Sequence, residues 1–246
     1  MTGARPSAAP SAAPVLVLGM HRSGTSCLAG CLEEAGLWLG EVNRAASFNA
    51  KGNRESREVM ELNDDVLAGV AGAWDNPPAQ EPGWSAAHRA RLDALVDAYP
   101  SDRVWGLKDP RVLLTLSAWR ERLAPRLVGT FRHPLEVAAS LRRRAAAWRS
   151  EMTQEHALNL WRSYNGRMLD LHAREPFALI RYDQPPELYR ARVRQIARDL
   201  GLPAPDAIAF LDAELRNETV DAPVPADCAD IWARLVGMDK QARRED

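Results

Sequence analysis

The clearest structural signal in the chain is VLVLGMHRSGTS, residues Val15 to Ser26. Its first four residues predict a short buried strand, which runs into a glycine-framed loop and then into a helix. From Gly19 the spacing is that of a phosphate-binding P-loop, G-x-x-x-x-G-[KT]-S, with one substitution. Thr25 stands where a nucleotide triphosphatase has its lysine, and the nearby positive charge is Arg22, inside the loop.

This loop has the chemistry of an anion-binding site. Gly19 and Gly24 allow a tight turn and a close approach of the backbone to a ligand, while successive N–H groups point inward. The helix that follows adds its positive end, and Thr25 and Ser26 add hydroxyl donors. A tight turn that binds nothing is the alternative, but it rarely needs all of these residue types together.

Composition and net charge indicate where in the protein an anion could bind. The chain has 246 residues, of which 46% are hydrophobic and 26% charged, and its net charge is −1. No overall positive field favours nucleic acid or an anionic membrane, and no apolar run approaches the roughly 20 residues of a membrane helix. Anion binding must therefore come from local arginines.

The cysteines and the N-terminal residues bear on location and domain organisation. Three cysteines suit a reducing compartment, so we expect a cytoplasmic protein. Cys27 and Cys31 lie four residues apart, and core packing is favoured over a metal or redox role. Residues 1–14, rich in Ala, Pro and Ser, predict a disordered leader. Residues 15–246 are expected to form one domain, with a partly irregular tail after about residue 217.

The remaining segments alternate between strand and helix patterns. Strands are predicted at Val15–Gly19, Val104–Leu107, Leu127–Phe131 and Phe177–Arg181. Helices are predicted at Gly24–Gly36, Arg54–Val70, Ser85–Ala98, Val112–Leu123, from Pro134 onward, Thr153–Ala173, Pro185–Leu200, Pro205–Leu215 and around Ile231–Leu235. This alternation predicts an α/β fold with a mostly parallel central sheet, a three-layer sandwich like that of P-loop nucleotide-binding proteins. Ligands of such sheets bind beyond the carboxyl ends of the strands.

Two further predicted strands end in basic residues. The second ends in GLKDPR, which brings Lys108 to the same edge as the loop. The third ends in FRHPLEVAASLRRR, where Arg132 leaves the strand, Ser140 lies about two helical turns on, and Arg144 follows on the same helical face. A guanidinium and a hydroxyl side by side can both donate hydrogen bonds to the oxygens of a second phosphate group. Solvated salt bridges or a basic exposed helix face are the alternatives.

The ligand that fits this pattern has two separated phosphate groups. A nucleotide triphosphate normally needs magnesium, held by the P-loop hydroxyl and by an acidic residue after another apolar strand. The sequence has no convincing aspartate in that role. A doubly phosphorylated ligand that needs no metal is therefore favoured.

The three motifs together resemble those of sulfotransferases that use 3′-phosphoadenosine 5′-phosphosulfate (PAPS). They are Gly19 to Ser26, Lys108 to Arg111, and the series Arg132, Pro134, Val137, Ser140 and Arg144. Asn49 to Asp64 and Arg181 to Gln184 also resemble family stretches, so the likeness spans roughly residues 15–184. It implies a P-loop-like fold and transfer of a sulfuryl group from PAPS, without a metal, to a hydroxyl or amine.

The resemblance also implies roles for single residues. Arg22 is expected at the bridging and leaving oxygens, and Lys108 at the sulfuryl group or leaving oxygen. Arg132 and Ser140 are expected at the 3′-phosphate, and Tyr182 is a weak candidate for contact with the adenosine. The full set of expected donor-binding residues is His21, Arg22, Ser23, Gly24, Thr25, Ser26, Arg132, Ser140, Arg144 and Tyr182.

The chain departs from the family in two respects. Arg22 replaces the lysine of small-molecule cytosolic sulfotransferases and looks more like the tyrosylprotein and bacterial branches. A C-terminal R-K-G segment, which closes over the nucleotide in cytosolic members, is missing from the sequence. Closure of the adenosine site is therefore left without an assigned residue.

An acceptor hydroxyl needs a general base, and two carboxylates compete for this role. Glu55 lies in a G-x-x-E stretch at a predicted helix start, and Glu41 lies near where the protein-tyrosine and heparan branches have their glutamate. We favour Glu55, for which first-turn helix-dipole complementarity is the structural alternative. His21 and His133 lie near the site, where loop packing explains them.

The acceptor itself cannot be read from the sequence. Small molecules, carbohydrate, lipid and peptide tyrosine all remain open; Trp74, Trp84, Trp148 and Trp161 are candidates for lining an acceptor pocket, although packing explains each of them. Two other functions compete. One is a P-loop kinase or hydrolase with a degenerate lysine position, and the other is a catalytically silent nucleotide-binding module.

Overall fold

A computed structural model describes residues 13–45, 51–203, 207–212 and 222–242. Its sheet has four strands, all parallel, in the order β2-β1-β3-β4. The strands are β1 Val15–Leu18, β2 Gly106–Lys108, β3 Arg126–Phe131 and β4 Ala178–Arg181. The predicted α/β class with a parallel sheet is confirmed.

Eight α-helices flank this sheet within the described residues. They are α1 Thr25–Glu34, α2 Arg57–Ala68, α3 Ala86–Asp97, α4 Leu116–Leu123, α5 Pro134–Ala147, α6 Gln154–Arg174, α7 Pro186–Asp199 and α8 Ala229–Ala242. Two short 3-10 helices, Pro110–Leu114 and Ala226–Cys228, precede α4 and α8.

The two faces of the sheet are covered by different helices. Val15 and Val17 of β1 pack in one apolar core with α1 and α7. Leu16 and Leu18 face the opposite core, which includes side chains of α2, α4, α6 and α8. Successive strand residues point to opposite faces, so a fully apolar strand requires cover on both sides. The result is the three-layer arrangement that the alternating pattern predicts.

Two predicted elements differ from the structure near the second strand. The strand lies at Gly106–Lys108 rather than Val104–Leu107, and Trp105 just before it makes an isolated bridge with Trp38. The predicted helix Val112–Leu123 is in fact two segments, a 3-10 turn and α4. Asp109 caps the 3-10 turn by accepting the backbone N–H of Arg111, and Thr115, with φ −129°, separates it from α4.

The C-terminal predictions were partly wrong. The helix expected around Ile231–Leu235 is longer, Ala229–Ala242. The helix expected at Pro205–Leu215 does not occur in residues 207–212, and its other residues lie mostly outside the described ranges. Residues 1–12 of the predicted leader also lie outside them. None of the helices in the described ranges has the length and apolar character of a membrane span.

Parallel strands bring the loops of interest to one edge of the sheet. Val17 of β1 pairs with Lys108 of β2, and Phe131 of β3 pairs with Arg181 of β4. The loops after all four strands therefore leave from the same side, where ligands of such sheets bind.

Candidate active site

The loop after β1 has a backbone that its two glycines permit. Gly19 has φ 144°, and a Cβ there would lie 2.5 Å from the carbonyl oxygen of Thr130. Gly24 has φ 89°, and a Cβ there would lie 2.3 Å from the ring of Tyr182. Arg22 adopts a positive φ of 66° although it is not glycine. This uncommon conformation is the kind of local strain that clusters at functional sites.

Helix α1 begins directly after the loop, and its N-terminus carries no side-chain cap, since Gly24 occupies the cap position. Thr25 is buried in its first turn, and the Ser26 hydroxyl donates to the carbonyl oxygen of Asn53 at 3.1 Å. The Ser23 hydroxyl is buried without a hydrogen-bond partner among the described residues. The N-terminus of α1 is thus surrounded by hydroxyl groups, and a hydrogen bond from Ser26 connects it to the segment before α2.

The loop arginine contacts the second basic motif directly. Arg22 donates from Nε to the Oγ of Ser140 on α5 at 2.9 Å. Arg132 lies beside it, since one Nη of Arg132 donates to the backbone oxygen of Arg22 at 3.5 Å. The sequence motifs around Arg22 and around Arg132 and Ser140 therefore form one cluster.

Several contacts hold Arg132 in this cluster. Its Nε donates to Glu136 at 2.7 Å, and its guanidinium lies 5.2 Å from the ring centroid of Tyr182. The indole N–H of Trp161 donates to the backbone oxygen of Arg132 at 2.9 Å. Tyr182, which also lies against Gly24, thus connects the loop with the second basic motif.

The electrostatics of the cluster favour an anion. Burial, together with the positive charges of Arg144, Arg132 and Arg143, lowers the pKa of Arg22 from its usual value to about 10. Arg144 lies with its guanidinium 4.2 Å from the ring of Trp148 and 5.8 Å from that of Trp74. Like charges this close in a buried site are stabilised by a shared anionic ligand.

Lys108 and Glu55 form a buried ion pair beside the loop. The Nζ of Lys108 donates to Oε1 of Glu55, and both side chains are almost inaccessible to solvent. Oε2 of Glu55 accepts from the Asn53 amide at 3.0 Å and lies 4.0 Å from an Nη of Arg111. The two residues expected to act on the sulfuryl group and on the acceptor are therefore neighbours.

Glu41 and Glu55 line the same cavity, which has a volume of about 550 Å³. Glu55 is buried and paired with Lys108, whereas Glu41 is exposed. The remaining residues that line the cavity are Val42, Asn43, Arg44, Asn53, Arg57 and Met60. The geometry thus favours Glu55 over Glu41 as the carboxylate beside the loop.

His21 is buried with its ring centroid 4.6 Å from that of Trp74. Burial lowers its pKa well below 6.5, and the charges of Arg111, Lys108, Arg144 and Arg22 act in the same direction. The ring is therefore neutral, and its Nε2 has no hydrogen-bond partner among the described residues. His133 packs instead against Trp232, with ring centroids 5.3 Å apart.

Asn53 was not predicted as a site residue, and the four candidate tryptophans were not distinguished from one another. Asn53 contacts both Ser26 and Glu55, and its position two residues before Glu55 is the only signal that pointed to it. Trp84 and Trp161 belong to the apolar core, whereas Trp148 is half exposed. No group of three or more His, Cys, Asp or Glu side chains in the described ranges could hold a metal ion.

No protein-family model matches the chain, and no curated protein matches it. Several solved structures are similar to it, including the following three. The sulfotransferase domain of the Synechococcus PCC 7002 olefin synthase is 16% identical, with a TM-score of 0.49, over 96% of this chain and 98% of that one. Sulfotransferase STF1 from Mycobacterium tuberculosis H37Rv is 17% identical, with a TM-score of 0.42, over 83% and 75%.

The third is retinol dehydratase in complex with androsterone and inactive cofactor PAP, which is 14% identical, with a TM-score of 0.41, over 93% of this chain and 80% of that one. The first two are described as sulfotransferases, the family that the sequence motifs resemble. At these identities and TM-scores the likeness does not extend to activity or ligand.

Proposed function

We propose that the chain is a sulfotransferase that transfers the sulfuryl group of PAPS to a hydroxyl or amine of an acceptor. The observation that carries the proposal is the contact between Arg22 and Ser140, which makes one cluster of the two anion-binding motifs. A single ligand with phosphate groups at both ends satisfies such a cluster. PAPS, with a 5′-phosphosulfate and a 3′-phosphate, is a ligand of that kind.

The donor binds along the edge of the sheet. The backbone N–H groups of the loop and the hydroxyls of Thr25 and Ser26 bind the 5′-phosphate, with the positive end of α1 behind them. Arg132 and Ser140 bind the 3′-phosphate, and Arg144 adds positive charge to the same cluster. Tyr182, which lies between Gly24 and Arg132, packs against the adenosine part of the ligand.

Transfer breaks the bond between sulfur and the oxygen that bridges it to the 5′-phosphate. The acceptor oxygen or nitrogen forms the new bond to sulfur, and adenosine 3′,5′-bisphosphate (PAP) leaves with the bonding electron pair. Arg22 stabilises the charge that develops on the bridging oxygen, and Lys108 stabilises the sulfuryl oxygens. These fixed cations supply the electrostatic stabilisation, so the reaction needs no metal.

Glu55 accepts the proton of the acceptor as the new bond forms. The acceptor reaches it through the cavity that Glu41 and Glu55 line. Lys108 leaves its pair with Glu55 when the sulfuryl group is present, which frees the carboxylate for the proton. Glu41, exposed on the cavity wall, has no part in the proton transfer.

The class of acceptor stays broad: a small molecule, a carbohydrate or a peptide, with no nucleic acid partner. Residues 15–246 act as one domain in this proposal. A reducing, cytoplasmic location agrees with the three cysteines, none of which forms a disulfide.

Ligand-dependent thermal unfolding tests the proposal. PAP is expected to raise the melting temperature equally with and without EDTA, since a ligand at 100 times its Kd adds about 2.7 kcal/mol of stability. Stabilisation by ATP that requires Mg²⁺, with none by PAP, would instead indicate a P-loop kinase or hydrolase. The next measurement is transfer of ³⁵S from labelled PAPS across a panel of phenols, amines, oligosaccharides and tyrosine peptides.

Transfer to at least one class in that panel, reduced in Lys108→Ala, supports the enzyme. PAP binding with no transfer to any acceptor, water included, would identify a silent nucleotide-binding module. Absence of PAP binding would contradict the proposal altogether.

A further inference from the structure

A buried polar network lies directly behind the Lys108–Glu55 pair. It joins α2 to the segment after β2, and its members Asn63, Asp109 and Thr115 have no solvent exposure. Burying so many polar groups is costly unless each finds its partner. Its hydrogen bonds connect Thr115 and Trp119 through Asn63 and Asp109 to Arg111, which lies beside Glu55.

Asn63 on α2 is the first link in this network. Its Oδ1 accepts from the Thr115 hydroxyl at 2.8 Å and from the Trp119 indole N–H at 3.0 Å. Since both partners donate, the oxygen of the amide must face them and the nitrogen must face the other way. Nδ2 then donates to Oδ2 of Asp109 at 2.9 Å.

Asp109, held by Asn63, in turn fixes the position of Arg111 through two hydrogen bonds. Its Oδ1 accepts from the backbone N–H of Arg111 at 3.0 Å and from an Nη of the same residue at 2.9 Å. The Nε of Arg111 donates to Asp64 at 2.6 Å. Burial alone would lower the pKa of Arg111, but the charges of Asp109, Asp64 and Glu55 raise it above its usual value.

The guanidinium of Arg111 is consequently held beside Glu55 without pairing fully with it. The Nη that bonds Asp109 at 2.9 Å lies 4.0 Å from Oε2 of Glu55. A cation at that distance attracts the carboxylate without donating a hydrogen bond to it. A bidentate pair would instead add two donors to oxygens that already accept from Lys108 and Asn53.

We propose that Asn63 and Asp109 are positioning residues, which hold Arg111 next to the Glu55 carboxylate but apart from it. The role in catalysis rests on the proposed function of Glu55 as proton acceptor. When Lys108 turns towards the donor, Arg111 remains as the cation beside the Glu55 carboxylate. The orientation of Asn63 thereby fixes where the guanidinium of Arg111 lies relative to Glu55 when the donor binds.

Other charged groups also act on Glu55 and are unchanged in the experiment below. Arg144 of α5 is close enough for its charge to interact with that of Glu55. The charged residues that face Glu55 are Lys108, Arg111 and Arg144, together with Glu41, Arg44 and Arg57 around the cavity. Only the placement of Arg111 depends on Asn63 and Asp109.

The test exchanges the two side chains in the double variant Asn63→Asp/Asp109→Asn. Every hydrogen bond of the network can still form, because the new aspartate accepts from Thr115, Trp119 and the amide at 109. The amide oxygen at 109 still accepts from Arg111. The only change is that the negative charge moves from residue 109, which bonds the guanidinium of Arg111, to residue 63, which is one hydrogen bond farther from it.

We expect the double variant to fold with a melting temperature close to that of the wild type. In its crystal structure the Nη of Arg111 should move from 4.0 Å into hydrogen-bond contact with Glu55. For transfer from PAPS, kcat should fall on the order of 10- to 100-fold. PAP affinity and the KM for PAPS should stay within about twofold, because no donor-binding group changes.

A purely structural network predicts the opposite outcome. The double variant would then keep the wild-type distance and kcat, and this result would overturn the proposal. The single variants Asn63→Asp and Asp109→Asn serve as controls for broken hydrogen bonds, since each sets two acceptors or two donors against each other. They should lose stability that the double variant regains.

Two further arms keep the proposal testable. If the double variant does not fold, Arg111→Lys keeps the charge but loses the fork that bonds Asp109 and Asp64 together. A wild-type kcat in Arg111→Lys would overturn the proposal, and a loss with unchanged PAP affinity would support it. If wild-type protein neither binds PAP nor uses PAPS, the proposed function fails, while the Arg111–Glu55 distance still decides the structural claim.

Discussion

Arg22 and Ser140 are 118 residues apart in sequence, yet Nε of the arginine donates to the serine hydroxyl at 2.9 Å. One residue lies in the loop after β1 and the other on α5, two turns after β3. The contact exists because β1 and β3 are parallel neighbours, so the elements after them leave the sheet at the same edge.

Substitutions of these two residues should separate binding from catalysis. Under the proposed function, Ser140→Ala removes a hydrogen bond to a charged phosphate, which contributes about 1.5–3 kcal/mol, so PAP affinity should fall roughly 10- to 100-fold. Under the same proposal Arg22→Ala removes a transition-state donor, and kcat should fall by about 100-fold or more. Calorimetry with PAP and steady-state kinetics with PAPS measure the two effects.

Arg142→Ala is the matched control for both, because Arg142 lies on the exposed face of the same helix. It should leave PAP affinity and kcat unchanged. Equal losses in Ser140→Ala and Arg142→Ala would indicate a general effect of charge or helix stability and would contradict the assignment.

Glu55→Gln and Glu41→Gln should differ sharply in rate. Loss of a general base typically lowers the rate by about 10²- to 10⁴-fold, so kcat of Glu55→Gln should fall in that range. Glu41→Gln should retain nearly full activity, since its side chain is exposed, whereas that of Glu55 is buried and paired with Lys108. The comparison uses saturating PAPS and whichever acceptor the labelled transfer panel identifies; a reversed pattern would assign the base to Glu41.

Gly24→Ala should weaken both folding and donor binding. A left-handed residue with a side chain costs about 1–2 kcal/mol, and the new methyl would lie 2.3 Å from the Tyr182 ring. Overpacking of this kind adds typically about 1–3 kcal/mol. Chemical denaturation and PAP calorimetry should both show the loss.

Gly83→Ala is its control, because a Cβ at Gly83 meets no atom within 4 Å among the described residues. That variant should unfold and bind PAP as the wild type does. If Gly24→Ala also behaves as wild type, the close packing of Tyr182 on the loop is wrong.

His21 should contribute to the pH dependence of stability. Burial lowers its folded-state pKa well below 6.5, whereas the unfolded state keeps a pKa near 6.5. Above that pH the ring is neutral in both states. Below it only the unfolded state takes up the proton, so the free energy of unfolding should fall with pH by up to about 1.4 kcal/mol per unit.

Denaturant unfolding between pH 7 and 5 measures this slope. His21→Phe should flatten it, because the variant has no proton to bind at that position. His156→Phe, at an exposed position on α6, should leave the slope unchanged. Equal slopes in wild type and His21→Phe would show that His21 is not held neutral.

Local patterns account for the parts of the site that sequence reasoning predicted. The glycines of the β1–α1 loop and Pro134 at the first position of α5 act through their own backbone preferences, which neighbours in sequence reveal. The prediction of one continuous helix at Val112–Leu123 was wrong for a related, local reason. The side chain of Asp109 caps a 3-10 turn there, and such local capping competes with the continuous helix that the apolar pattern indicates.

Contacts between distant segments were not predictable in the same way. Asn63 lies mid-helix on α2, and nothing in its neighbours distinguishes it from a solvated asparagine. Its role appears only when α2 packs against the segment that carries Asp109 and Thr115. The choice between Glu55 and Glu41 likewise depends on which carboxylate the fold brings to Lys108.

The amino-acid sequence alone determined the class of fold, the glycine-framed loop after β1 and the basic residues at the strand ends, because periodicity, glycine placement and charge are local properties. Only the tertiary structure decided that Arg22 meets Ser140, that Lys108 pairs with Glu55, and that Arg111 is held beside that pair. The physical reason is that these contacts join residues 53 to 118 positions apart. Their distances follow from how strands and helices pack, and not from any neighbour in the chain.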